Sequence, residues 1–140
     1  PLALTSAFLR VTGRWVQQGW RGPRKVLNIS SGLGRRAMAS QAAYCTAKAG
    51  MDMYSQCVAL EEAQLPHGAR IVSLAPGVID TDMQVQLRGA PTADFPDAPN
   101  FAHLKSGGLL TSPADAATRV LAWLDRADFG TQPVADVREG

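Results

Sequence analysis

Tyr44 and Lys48 stand in the stretch "AAYCTAKAG", among small residues that favour a helix. On a helix this spacing stacks the two side chains on one face, one turn apart. A phenol ionises at about pH 10, so it exchanges protons poorly at neutral pH unless a nearby cation stabilises the phenolate. Lys48 is placed to do that. The plain alternative is a half-buried ring beside a solvated amine.

Two other stretches bear on the choice. "KVLNIS", residues 25–30, is dense in apolar and β-branched residues and predicts a buried strand that delivers Ser30 and Ser31 to its carboxyl end. Ligands of open α/β sheets bind at that end. A serine hydroxyl there can hydrogen-bond a carbonyl oxygen while Tyr44 hands it a proton, although two serines after a strand also serve as loop or cap chemistry. "GARIVSLAPG", residues 68–77, predicts a second strand that stops at Pro76 and Gly77. Glycine lets a flat ligand approach the backbone, and Thr81 can bond an amide. Equally, Pro-Gly is a common turn, and Asp80 or Thr81 a helix cap.

The elements that must position these residues follow from periodicity. Leu2, Leu4, Phe8, Leu9, Thr12 and Val16 recur at helical spacing over residues 3–18, and "GWRGPRK" breaks the helix. Residues 41–64 predict the longest helix, with an apolar side at Ala43, Ala47, Met51, Tyr54, Val58, Leu60 and Leu65 and with Pro66 closing it. A short helix is expected over 81–88, inside a lid-like segment of about 82–110 whose "GAPTADFPDAPN" suits a mobile lobe. "TSPADAATRVLAWLDR" predicts a helix with Ser112 as N-cap, Pro113 in the first turn, Asp115 near the positive end, and Val120, Leu121 and Leu124 as core side. "PVADVRE" suggests one more strand.

Helix-length connections between strands favour a parallel sheet, hence an α/β fold. Three strands make a thin sheet, and the first helix lacks a preceding strand. The expected architecture is therefore part of a larger doubly wound α/β domain without its front half. The chain opens without methionine and within a helical rhythm, which suggests a fragment or processed chain.

Composition narrows the classes. With 46% hydrophobic and 19% charged residues and a net charge of +2, the chain has the make-up of an ordinary globular domain. Basic residues are scattered except at Arg21, Arg24 and Lys25 and at Arg35 and Arg36, which argues against a nucleic-acid groove. No apolar run reaches the roughly 18 residues of a membrane span, and no signal peptide opens the chain, so a cytoplasmic protein is expected. Cys45 and Cys57 are too few for a disulfide framework, and His67 and His103 lack paired-ligand spacing. No metal site is expected.

Ser31, then Tyr44 and Lys48, then "APGVIDT" after a strand, together resemble the catalytic half of the short-chain dehydrogenase/reductase family. "VLNISS", "AAYCTAKAGMDMYSQCVALEE", "APGVIDTDMQ" and "LDRADFGTQPVADV" are most similar to its sepiapterin and bacterial benzil-type carbonyl reductase branch. The resemblance implies the C-terminal part of a Rossmann-type doubly wound parallel sheet, residues 1–140 forming a partial dinucleotide-binding domain, and NADPH-dependent reduction of a ketone or diketone, pterin-like or benzil-like. Tyr44 would donate the proton, Lys48 would stabilise its phenolate and hold the nicotinamide ribose, and Ser31, beside Gly32, would orient the carbonyl. Gly77 would border substrate and nicotinamide. Ile79 and Thr81 would contact the carboxamide and the neighbouring phosphate side, with Asp80, Asp82, Met83 and Gln84 continuing that cofactor-facing segment. Asp136 falls where the branch keeps a pterin-anchoring aspartate. Homodimerisation through residues 3–18 and 41–64 is also implied.

The departures define alternatives. The family's T-G-x-x-x-G-x-G pyrophosphate turn does not occur in these 140 residues, and "SGLGRR" follows the "NISS" strand as part of the substrate loop. A proton-relaying asparagine of the family would precede Pro1. The remaining readings are a 3-oxoacyl or sugar-alcohol dehydrogenase of the same fold, and a non-catalytic remnant or interaction module.

Overall fold

The computed structural model describes residues 1–139. Helix α1 (Leu2–Gln17) precedes strand β1 (Lys25–Ile29), and a 3-10 turn (Gly32–Gly34) leads into the long helix α2 (Ala42–Glu62). Strand β2 (Arg70–Ala75) is followed by α3 (Asp82–Gly89), α4 (Ala98–Ser106), α5 (Pro113–Asp125) and strand β3 (Val134–Asp136). A last 3-10 turn covers Val137–Glu139. The order is β1-β2-β3 and both pairings are parallel, with Ile29 opposite Leu74 and Ala75 opposite Asp136. All three carboxyl ends therefore lie on one edge of the sheet.

Strand β2 is the centre of the core, buried from Ile71 to Ala75. Val72 and Leu74 point to one face, where Phe129, Ala135 and the α5 side chains Val120, Trp123 and Leu124 pack on them. Ser73 and Asn28 point to the other face, towards α2, and Asn28 Nδ2 donates to Ser55 Oγ at 3.4 Å. Ser112 caps α5 as expected: its Oγ accepts from the Asp115 amide at 3.1 Å and donates to Asp115 Oδ2 at 2.7 Å. Leu121, assigned to the core side, is instead 61% exposed, because α5 turns Val120 and Leu124 to the sheet.

The long helix also differs from the expected pattern. Its buried residues are Met51, Asp52, Ser55, Val58 and Glu62, whereas Leu60 is 70% exposed and Ala43 and Ala47 face solvent. The sheet-facing stripe carries hydrogen-bonded polar groups, so hydrophobicity alone selects the wrong residues. Leu65 is exposed beyond the helix end. The same cause shifts α1, whose buried residues are Thr5 and Thr12 while Leu2 and Leu4 are exposed. Thr12 Oγ1 donates to Phe8 O and accepts from Arg24, whose other terminal nitrogen donates to Glu62 of α2.

The segment 82–110 carries the two helices α3 and α4. Phe95 is buried and meets Phe101 with ring centres 5.4 Å apart. A parallel bridge between Ile79 and Thr111 closes its base. Among the described residues no helix is long and apolar enough to cross a membrane.

Candidate active site

Where β1 ends, Ser30 and Ser31 carry the chain into the Gly32–Gly34 turn, and Ser31 is that turn's N-cap. Ser31 Oγ accepts from the Leu33 amide at 3.2 Å. A hydroxyl that accepts from an amide keeps its proton for another acceptor. Ser31 is only half-buried, so a ligand can approach it.

Helix α2 supplies the other groups. Lys48 Nζ donates to the Ile29 carbonyl at 2.8 Å and lies 5.6 Å from the centre of the Tyr44 ring. The last carbonyl of β1 thus anchors the ammonium, which retains two N–H donors. Tyr44 and Lys48 are both half-buried. Ser31, Gly32, Tyr44 and Lys48 are gathered where β1, the 3-10 turn and α2 meet.

Further along the same edge lies Gly77, at φ +82, a backbone conformation that side chains rarely adopt. A Cβ added there would meet only Val137 Cγ2 at 3.6 Å, so conformation rather than crowding requires glycine. Asp136 ends β3 nearby and is 4% exposed. Its carboxylate accepts from the Arg138 amide at 3.0 Å, from Nε at 2.8 Å and from Nη2 at 2.6 Å. The Arg138 hydrogen bonds hold the Asp136 carboxyl below its ordinary ionisation range, against the opposing effect of burial.

The run 79–84 is divided between half-buried, exposed and buried residues. Ile79 is held by the Thr111 bridge, and Gln84 is buried in α3. Asp80 pairs with the Lys105 ammonium of α4 and stands 3.5 Å from Arg88 of α3. The Lys105 hydrogen bond is the main cause of the lowered ionisation range of Asp80. Thr81, Asp82 and Met83 are exposed. Cys45 and Cys57 are both free thiols on α2. No group of three or more His, Cys, Asp or Glu side chains that could hold a metal occurs among the described residues.

Sequence reasoning missed Asp52. This buried carboxylate of α2 accepts from Ser30, Ser73 and Arg35, three donors from three separate parts of the chain. The one local signal is an acidic residue one helical turn after Lys48, on the same face.

Known proteins share this arrangement of elements. A family model described as short chain dehydrogenase matches residues 5–91, a span that includes Ser31, Tyr44, Lys48 and Gly77 but not Asp136. A benzil reductase ((S)-benzoin forming) from Bacillus cereus is 39% identical over 139 residues, 99% of this chain and 54% of that protein. The chain thus spans about half the length of the curated relatives it matches. A sepiapterin reductase from Meriones unguiculatus is 37% identical over 107 residues, covering 76% of this chain and 38% of that protein. Among solved structures, the KRED1-Pglu enzyme superposes with a TM-score of 0.62 at 31% identity, over 77% of this chain and 43% of that one. The parallel sheet, the family match over more than half of the sequence and the similarity along 99% of this chain agree, and the chain belongs to the short-chain dehydrogenase family.

Proposed function

We propose that this chain carries the catalytic half of an NADPH-dependent carbonyl reductase, with Tyr44 as proton donor and a diketone of the benzil type as substrate. The observation that carries the reading is the anchoring of Lys48 beside the Tyr44 ring on the carbonyl of Ile29, two residues before Ser31 in the chain.

The residues present suit the nicotinamide end of a dinucleotide. Lys48 keeps two donors for ribose hydroxyls, and the backbone at Gly77 is open to a flat ring. Ile79 and Thr81, which follow Gly77, would meet the carboxamide end, with Asp82 and Met83 exposed beside them. Asp80 serves the α3–α4 unit through Lys105, and Gln84 is a buried residue of α3. NADPH, when bound, supplies the hydride. Ser31 Oγ–H donates to the substrate carbonyl oxygen and polarises it. Tyr44 Oη–H passes its proton to that oxygen as negative charge develops there, and the Lys48 ammonium stabilises the phenolate left behind.

The Asp136–Arg138 pair favours a neutral diketone over a pterin. A pterin amine seeking the Asp136 carboxylate would compete with three hydrogen bonds from Arg138 for a residue that is 4% exposed. Similarity to a benzil reductase along 99% of the chain supports the same choice. Exposed Leu4, Val11 and Trp15 on α1 and Met53 and Leu60 on α2 support association of two copies through these helices.

The test is NADPH consumption by the native protein with benzil, sepiapterin and a 3-oxoacyl thioester. Benzil is expected to be reduced with the highest kcat/KM, and NADH to serve less well. Absence of turnover with every carbonyl overturns the reading and favours a non-catalytic module. Preference for the thioester moves the chain to the 3-oxoacyl class.

A further inference from the structure

Asp52 lies one turn beyond Lys48 on α2, is 4% exposed, and takes no part in the steps described above. Its Oδ1 accepts from Ser30 Oγ at 2.5 Å and from Ser73 Oγ at 2.7 Å. Its Oδ2 accepts from Arg35 Nε at 3.4 Å. Each donor belongs to a different part of the chain. Ser30 precedes Ser31 in the chain, Ser73 lies on the central strand, and Arg35 closes the Gly32–Gly34 turn. Arg35 reaches further, donating from Nη2 to the Ala135 carbonyl at 2.8 Å, directly before Asp136.

The turn also presses on the helix at this point. A Cβ on Gly34 would come within 2.8 Å of Asp52 Oδ2 and 3.1 Å of the Lys48 carbonyl carbon. The turn that begins at Ser31 is therefore seated on the stretch of α2 between Lys48 and Asp52. A buried carboxylate is costly unless donors fill its lone pairs, and an apolar side chain of similar size would avoid the cost. Three converging donors instead fix the strand end, the turn and the helix relative to one another.

We infer that Asp52 is a positioning residue that sets the Ser31 hydroxyl and its turn against Lys48 and Tyr44. The inference rests on the carbonyl-reductase reading. Asparagine at position 52 would keep the shape but present an N–H₂ to donors on one side. The serine hydroxyls can rotate to accept from it, whereas the Arg35 guanidinium has no acceptor to offer. Loss of the carboxylate thus releases either Arg35 and the turn or the alignment of Ser30.

The test compares Asp52→Asn, Ser31→Ala and the double variant in the native protein, with benzil and NADPH. Glu62→Gln is the reference, because Glu62 is the other buried carboxylate of α2 and bonds only Arg24 and the Ala69 amide at the far end of the helix. Asp52→Asn is expected to lower kcat on the order of 10- to 100-fold, with the NADPH KM held within about twofold. In the Ser31→Ala background the same change is expected to cost less than about twofold, since the group it positions is gone. Glu62→Gln is expected to lower Tm and leave kcat within about twofold. Unchanged kcat in Asp52→Asn, or losses that multiply fully with those of Ser31→Ala, overturn the inference while wild-type turnover keeps the reductase reading. A wild-type protein inactive on all carbonyls overturns that reading and the inference with it. If Asp52→Asn does not fold, Ser73→Ala removes one donor and keeps the carboxylate. A several-fold fall in kcat, absent in the Ser31→Ala background, is then expected, and additive losses overturn the inference.

Discussion

Lys48 and Ile29 are joined by a 2.8 Å hydrogen bond from ammonium to carbonyl, which ties the first turns of α2 to the carboxyl end of β1. One bond thereby places a cation beside the Tyr44 ring and holds the strand end that presents Ser31.

Lys48→Met removes both effects. The Ile29 carbonyl loses its partner at a cost of about 1 kcal/mol, read as a modest fall in Tm. Carbonyl reduction is expected to fall on the order of 100-fold or more, because the cation that supports proton transfer is gone. Steady-state kinetics beside thermal unfolding separate the two. A variant with lowered Tm and full turnover would assign Lys48 a structural role only.

Arg138→Gln frees the Asp136 carboxylate. Because Arg138 lowers the Asp136 ionisation in the folded state, the stabilisation from this pair is fully present above the unfolded aspartate value of about 3.9 and is lost as pH falls through the lower folded one. The Tm gap between wild type and Arg138→Gln should stay constant from about pH 7 to 5 and close below about pH 4. Arg138 is a surface side chain, so the gap should be small. In the same variant the KM for sepiapterin should fall while that for benzil stays put. A gap that widens with acid would contradict the pairing.

The three strands, the α5 cap and the parallel order were legible because each is written locally. Strand β2 is a short apolar run, and Ser112-Pro113 is a start signal. Helix α4 was hidden among prolines, yet one of them sits in its first turn, where a missing amide hydrogen costs nothing. The buried face of α2 was misjudged at Leu60 because Asp52, Ser55 and Glu62 reach partners distant in sequence. Ser31, Tyr44 and Lys48 could be picked out by spacing. The free proton of Ser31 and the clamp of Arg138 on Asp136 exist only in three dimensions.

Leu60→Glu tests the exposed helix face. Leu60 is 70% exposed, and Met53 and Trp15 are exposed on the same pair of helices, so α1 and α2 expose several large apolar side chains. If two native copies meet there, the charge should shift light-scattering mass from dimer to monomer, with Tm at low concentration unchanged. Retention of the wild-type mass would exclude α2 from the interface.

Proton donation by Tyr44 is the step on which the functional reading turns. Tyr44→Phe keeps the ring beside Lys48 and deletes only the hydroxyl. In the native protein, single-turnover oxidation of NADPH by benzil should slow by about 100- to 10,000-fold, while NADPH affinity measured by fluorescence changes only a few-fold. Turnover by Tyr44→Phe at the wild-type rate would contradict it.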